Sequence, residues 1–426
     1  MNMQPSEVLK PNLGTMPEPP PSYATDGAEM PFGIEEMFFS KTDKRGVIDD
    51  FNDVFVRVSG FSGEDLCGAP HKILRHPDMP KAVFWLLWNG LQNGEAVGAY
   101  VKNRTKDGRY YWVFALAAPV ADGYFSVRIK PTSEIHKQVI ALYEEIRAAE
   151  LTEKLTAEES AQRLLQRLRD LGYPNYGWFQ SAAFGLEYEA RQQALKAPPM
   201  MDVVNTKVAS QMTQDLQREL AALAAEFDGA EILTANMKIF AAKLDQGRAV
   251  INEVAKNYDL MLRDIQGHLK TLLALPQSGG IWSTPEGQKA SFMLCGYHLL
   301  DEVVHDYEHE KIKSGDPATP EEMHQIQSLR SGYKGHSDDA VSDCVKSALT
   351  IQRRIEFLLR MVLGLSTIRI ACRVEAGSLR QSAHGLDTIV GRLDDFQDRI
   401  ETRMVGIQQL ATDILDRIGR PQGNVK

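Results

Sequence analysis

The chain has 426 residues, about 43% apolar and 25% charged, a balance that excludes a collagen-like, disulfide-framework or wholly disordered protein. That length argues for two or three domains. Its 57 Asp and Glu against 48 Lys and Arg leave a net charge of −9, which argues against a general nucleic-acid binder, because phosphate binding draws on clustered positive charge.

Residues 1–33 are polar and proline-rich, with Pro17, Pro19, Pro20 and Pro21 close together. They read as a flexible tail without a charged-then-apolar signal pattern. In the next block, 34–132, Met37–Asp43 and Gly46–Phe51 are two short strands joined at Lys44-Arg45. Asn52 or Asp53 is placed to cap a short helix that Gly60 stops. Pro80 opens a longer helix, Lys81 to Asn93, with Val83, Phe84, Leu87, Trp88 and Leu91 on one face and Gly94 beyond its end. Three strand-like runs follow, Ala96–Thr105, Tyr110–Val120 and Tyr124–Lys130, separated by Asp107-Gly108 and Asp122-Gly123. Asp-Gly between such runs is a hairpin signal.

From Ser133 the composition turns to good helix formers. A connector, 133–199, holds a helix from Ser133, a capping box Thr156-x-x-Glu159, and, after the aromatic turn Tyr173–Phe179, a helix from Gln180 to Lys196. Residues 200–275 read as one long coiled-coil-like helix. Apolar or small residues at 237, 240, 244, 247, 251, 254, 258, 261 and 265 step by three and four, and a slip near 230–237 reads as a change in supercoil rather than an end. A helical and loop connection, 276–338, leads to a last arm, 339–420, with Leu393, Phe396, Ile400, Ile407 and Ile414 on one seam. Two long arms flanking a connection suggest an antiparallel hairpin paired with a second copy, a homodimer. The greasiest stretch, Phe357 to Leu365, is interrupted by Arg360 and falls far short of the roughly 20 apolar residues a membrane span needs. The scattered Cys67, Cys295, Cys344 and Cys372 form no Cys-x-x-Cys pair and fit a reducing cytoplasm.

The string Arg75-His-Pro-Asp-Met-Pro80, with Asn52-Asp-x-Phe-Val-x-Val-Ser-Gly60 before it and Val101-Lys-Asn-Arg104, Asp107-Gly108 and Tyr111-Trp-Val113 after it, resembles the PAS domain of bacterial aerotaxis receptors. That domain binds FAD noncovalently. The resemblance implies an α+β PAS fold, an antiparallel sheet with flanking helices, joined here to an all-α, coiled-coil-like region. It also implies that Arg75, His76, Asp78, Trp88 and Asn103 lie near the flavin. From the residues alone, an isoalloxazine ring needs an apolar slot with a few polar groups at its edge. Phe84, Leu87 and Trp88 can wall that slot, Asn103 can offer an amide, and Arg75 can compensate negative charge. One departure is Gly94-Glu-Ala-Val97, where the family often reads Gly-Glu-Pro-Trp. A rival occupant is haem, with His71 or His76 as axial ligand.

Ile370-Ala-Cys-Arg-Val-Glu-Ala376 and Gly385-Leu-Asp-Thr-Ile-Val390 resemble, in degenerate form, the segment after the hairpin tip of methyl-accepting chemotaxis transducers. That resemblance implies docking of the chemotaxis histidine kinase and its coupling protein, although the tip's Gln-Thr-Asn and Asn-Ala-Ala strings are missing around Leu363 to Ala371. His298, Glu302, His305 and His309 share a helix face with metal-compatible spacing; a solvated polar face is the preferred reading, and no metal is assigned. No Walker loop, Gly-x-Ser-x-Gly elbow, kinase or cyclase signature is found, so no catalytic residue is assigned. The expected function is a cytoplasmic sensor of redox state or oxygen, related to aerotaxis or energy taxis, that acts through protein partners. The alternatives are a cofactor-free PAS scaffold and a haem-binding gas sensor.

Overall fold

The structure, a computed structural model, describes residues 27–243, 248–274, 285–314, 320–378 and 386–418. It divides into two units, residues 1–199 with 292–334, and 200–291 with 335–426.

The first unit is built on five strands, β1 (Phe38–Asp43), β2 (Ile48–Phe51), β3 (Val97–Arg104), β4 (Tyr110–Val120) and β5 (Gly123–Ile129). They form one antiparallel sheet in the order β2-β1-β5-β4-β3. Between β2 and β3 lie α1 (Asp53–Ser59), α2 (Gly63–Leu66), a 3-10 turn at His71–Leu74 and α3 (Lys81–Gln92). Asn52 caps α1 as expected, and its side chain does more than cap. The carboxamide oxygen accepts from Phe55 N at 3.2 Å and Phe39 N at 3.3 Å, while Nδ2 donates to Met37 O at 2.9 Å, tying α1 to β1. Gly60 ends the helix at φ 71, a left-handed conformation that glycine adopts at little cost. The expected tail boundary moves. Met30 N donates to Tyr110 O at 2.7 Å, Glu29 bridges Tyr110, and Phe32 is buried against Phe38; residues 1–26 lie outside the described residues.

The β4–β5 turn leaves no room for a side chain at Gly123, where a Cβ would stand 1.8 Å from Thr42 O on the neighbouring strand. Gly123→Ala is therefore expected to destabilise the unit by about 3 kcal/mol, since backbone has to move to relieve the overlap. Urea denaturation checks this, and a change under about 1 kcal/mol would show that the turn yields freely.

One face of the sheet is covered by helices that follow it, α4 (Glu134–Thr152) and α6 (Tyr176–Ala194), and by part of α9 (Pro285–Ser314), while α5 (Ala157–Asp170) packs mainly against α3. Tyr100 stacks on His136 at 5.5 Å, Trp112 meets His136 edge-on at 5.2 Å, and Phe184 joins Phe114 to Phe292 at 5.3 Å each. The capping box at Thr156 and Glu159 forms as expected. The turn at Tyr173–Phe179 is shorter than expected, because Asn175 accepts from Trp178 N at 3.1 Å and starts α6 at Tyr176.

Two fully buried glutamates serve as caps for helices other than their own. Glu150 on α4 accepts from Lys81 N at 2.6 Å and Ala82 N at 3.4 Å, at the start of α3, where Pro80 offers no side-chain cap. Glu187 on α6 accepts from Thr132 N at 2.7 Å and Ser133 N at 3.0 Å, at the start of α4, and from Ser133 Oγ and Tyr100 Oη. Each carboxylate satisfies otherwise orphaned N–H groups at the positive end of a helix.

The second unit contains α7 (Met201–Ala242), α8 (Arg248–Ala274), the later part of α10 (Pro320–Ser378) and α11 (Leu386–Ile418). The single helix expected over 200–275 is thus two. Lys238 pairs with Asp259 at 3.3 Å, and Gln266 Nε2 donates to Phe227 O at 3.0 Å, so α7 and α8 run antiparallel. A three-four apolar period continues unchanged on the far side of a reversal, so periodicity alone does not reveal the turn. The slip at 230–237 is indeed not an end, since α7 runs through it. α10 and α11 also form an antiparallel pair, with Gln352 Nε2 donating to Thr412 Oγ1 and Gln397 Nε2 to Val362 O, both at 3.2 Å. Phe227 meets Phe396 at 5.5 Å, and Arg399 pairs with Glu226 at 3.1 Å.

These four helices share one core, which includes Leu223, Phe227, Ile251, Tyr258, Ile265, Ile355, Leu358, Leu393, Phe396 and Ile400. The seam expected to require a second copy is therefore buried within one chain. The connection expected at 276–338 is largely helical, and its residues 292–334 belong to the first unit. Among the described residues no helix is long and apolar enough to cross a membrane.

Candidate functional site

A cavity of about 600 Å³ opens between the other face of the sheet, α3 and the 3-10 turn. Its origin lies in the alternation of the strands, whose successive side chains face opposite ways. On β4 the bulky Trp112, Phe114 and Leu116 face the covering helices, while Ala115 and Ala117 face the cavity. Ser40 and Thr42 on β1 and Ser126 and Arg128 on β5 face it too. Helix α3 closes the opposite side with Phe84, Leu87, Trp88 and Leu91. Trp88 is held edge-on to Tyr124 at 5.4 Å and lies over Gly46, where a Cβ would come within 2.8 Å of the indole.

Of the five residues expected near a ligand, Arg75, Trp88 and Asn103 line this cavity together. Arg75 and Asn103 are neighbours through an isolated antiparallel bridge. The Arg75 guanidinium lies 3.5 Å over the Phe84 ring, its Nε has no hydrogen-bond partner, and burial lowers its pKa to about 10. Asn103 is buried with Nδ2 unpartnered. His76 and Asp78 do not line the cavity. In the extended segment that pairs with β3, the residue after Arg75 turns the other way. His76 Nδ1 there accepts from Asp78 N at 3.2 Å, and its ring meets Tyr110 edge-on. Asp78 is exposed and pairs with Lys102 at 2.7 Å; burial works to raise its pKa, but the Lys102 ammonium more than offsets this and leaves it lowered.

His71, weighed as an axial ligand for haem, does line the cavity, but its Nε2 is 2.7 Å from Arg128 Nη2 and so is already engaged. Burial, with Arg128 and Arg75 adding to it, lowers its pKa to about 3, leaving a neutral ring that accepts from the guanidinium. Ser40, Thr42, His71, Ala115, Ala117, Tyr124, Ser126 and Arg128 went unassigned as flavin neighbours in the sequence. The signal was present, because a half-buried strand normally turns large apolar residues inward, whereas Ser40-x-Thr42, Ala115-x-Ala117 and Ser126-x-Arg128 turn small or polar ones inward. The site is an apolar slot with polar and cationic groups at its inner end, and three exposed cations, Lys44, Arg45 and Lys72, line its rim. This arrangement suits a flat heteroaromatic ring carrying a negatively charged tail.

The helical histidine cluster is rearranged relative to expectation. Glu302 is half-buried, bonded to Arg191 and to Tyr188 and Gln192 at 3.2 and 3.1 Å, and His298 stacks on Tyr188. Glu302 and His298 are thus packing contacts rather than parts of a solvated face, whereas His305 is exposed as expected, and the side chain of His309 lies outside the described residues. Among the described residues no group of three or more His, Cys, Asp or Glu is arranged to hold a metal ion. Of the transducer-like strings, Gly385 and the side chain of Glu375 also lie outside them; Arg373 pairs with Asp394.

Residues 48–125 match the PAS fold family, and the chain carries a PAS domain followed by a helical region. Over 130 residues it is 39% identical to the aerotaxis receptor of Escherichia coli (strain K12), a match that covers 29% of this chain and only 26% of the receptor. Among solved structures, the PAS domain of a Colwellia psychrerythraea protein is 20% identical, covering 22% of this chain and 86% of that one, with a TM-score of 0.21. A light-oxygen-voltage domain studied with a flavin analogue is 22% identical, covering 26% and 85%, with a TM-score of 0.22.

Proposed function

We propose that this chain is a cytoplasmic sensor of redox state or oxygen, serving aerotaxis or energy taxis, which holds FAD in the PAS cavity and signals through its helices to a partner protein. The observation that carries this reading is the buried Asn103 amide, whose Nδ2 has no partner and which lines an apolar slot beside Arg75. An unpaired buried donor costs about 1–3 kcal/mol, so a ligand acceptor at that point would be stabilising. The residues present fit FAD: Trp88, Phe84 and Leu87 against the ring, Asn103 and Arg75 at its polar edge, Lys44, Arg45 and Lys72 towards the diphosphate. FAD would supply a reversible change of electron count and charge, for which the cavity lining, with no cysteine in it among the described residues, has no ready substitute. The likeness to the aerotaxis receptor over the PAS region supports the same reading. Output through the chemotaxis kinase and its coupling protein, and pairing of two copies, belong to the proposal as well.

Protein purified from a flavin-replete host should be yellow and release FAD on denaturation. Trp88→Ala should weaken retention about thirtyfold, for loss of on the order of 2 kcal/mol of apolar contact. A colourless protein that takes up no added FAD would refute the proposal and leave the cofactor-free scaffold.

A further inference from the structure

The cavity's inner wall holds a charge that the protein itself does not balance. Arg128 is 4% exposed, on β5 beside Ala115. Its guanidinium is held by neutral partners: Nη1 and Nη2 each donate to Ser40 Oγ at 3.1 Å, and Nη2 donates to His71 Nε2. The guanidinium also lies 5.3 Å from the Phe55 ring centre. Among the described residues no carboxylate pairs with it. A buried cation without a counter-ion is strongly unfavourable, whereas one facing a ligand that acquires negative charge is compensated when that charge appears.

We propose that Arg128, oriented by His71 and Ser40, is the counter-charge for the ring of the bound flavin in its reduced form. This deepens the FAD reading and rests on it. Two electrons and one proton convert the ring to its reduced anion, the proton adding at N5 and the negative charge remaining on the N1–C2 carbonyl edge; the electron donor is a chemical reductant such as dithionite. The rim cations are exposed and suit the diphosphate, while Arg128 lies at the inner wall with Asn103. Arg75, stacked on Phe84, is the weaker candidate for the ring's charge because its guanidinium already has a π partner.

The test is a redox titration of the full-length, flavin-loaded protein. In the wild type the midpoint should move by about 30 mV per pH unit from about pH 8 to about pH 5.5, as one proton per two electrons requires. A slope of about 60 mV would mean a neutral reduced ring and would overturn the proposal. Arg128→Gln should weaken reduced FAD at least tenfold more than it weakens oxidised FAD, lowering the midpoint by about 30 mV or more. Arg128→Lys should restore most of that shift. An unchanged midpoint in Arg128→Gln would sink the idea, while the FAD reading would stand. Riboflavin, which lacks phosphate, separates the two sources of negative charge. If Arg128→Gln weakens FAD in both redox states yet leaves riboflavin untouched in both, the residue serves the diphosphate and the ring assignment falls. If the glutamine variant does not fold, Arg128→Lys carries the comparison with wild type, and a wild-type slope of about 60 mV still overturns the proposal. A wild type that binds neither flavin fails at the earlier step, and this inference fails with it.

Discussion

Replacing Glu187 with alanine is expected to lower the unfolding free energy of the first unit by about 4 kcal/mol. The carboxylate is fully buried and accepts four hydrogen bonds, from Tyr100 Oη at 2.7 Å, Thr132 N, Ser133 N and Ser133 Oγ. Removing the acceptor leaves four donors without a partner, each costing about 1–3 kcal/mol unless water enters the space. Glu187→Gln should cost about half as much, because the amide keeps one acceptor oxygen but turns an N–H towards donors. The measurement is urea denaturation followed by tryptophan fluorescence, with amide exchange at Ser133 as a local readout. A loss below about 1 kcal/mol for the alanine variant, with Ser133 still protected, would show that α4 does not depend on this cap. The residue matters to signalling geometry because Tyr100 and Asn103 share β3 and face opposite sides of it. A shift of that strand at the cavity is therefore felt at the start of α4.

The second large effect is on acid stability. Burial, with Arg128 next, pushes His71 down to about 3 from an ordinary 6.5, and burial, with Lys102 next, pushes His76 down to about 4. Both imidazoles are thus neutral in the folded protein while the unfolded chain takes up protons at the ordinary value. Where the unfolded state binds more protons, stability falls as pH falls. The full stability is present above about pH 6.5, and roughly 3 kcal/mol for each ring is lost by about pH 4. Carboxylates also titrate towards the bottom of this range, so the decisive comparison is wild type against His76→Gln. The variant should lose less stability between about pH 6.5 and pH 4, by up to roughly 3 kcal/mol. Identical acid profiles would mean that His76 is not held neutral by its surroundings.

Much of the first unit could be read from local chemistry. Asn52 and Gly60 bracket α1, Asp122-Gly123 marks the last hairpin, and Thr156 with Glu159 opens α5, all through interactions that span a few residues. Arg75, Trp88 and Asn103 were legible as a group because the string before α3 and the strand after it carry the family resemblance. What stayed hidden depended on distant partners. His76 and Asp78 share that string, yet the pairing of Arg75 with Asn103 directs them away from the cavity. Arg128 lies in an unremarkable strand, and only the register of β5 beside Ala115 gives its charge significance. The turn between α7 and α8 was hidden for a different reason, since both helices present the same apolar spacing to the same core.

That shared core has a consequence for how the helical unit responds to dilution. Where two copies of a hairpin must meet to form four helices, the bundle obeys mass action and its melting temperature drops as the protein is diluted. Here α7 with α8 and α10 with α11 are tethered in one polypeptide, so their encounter is intramolecular, and any concentration dependence of melting would report the pairing of whole chains rather than assembly of the bundle. A change at one hairpin also appears once per bundle rather than twice. The two hairpins are then free to diverge in sequence, since neither has to pair with its own copy to complete the core.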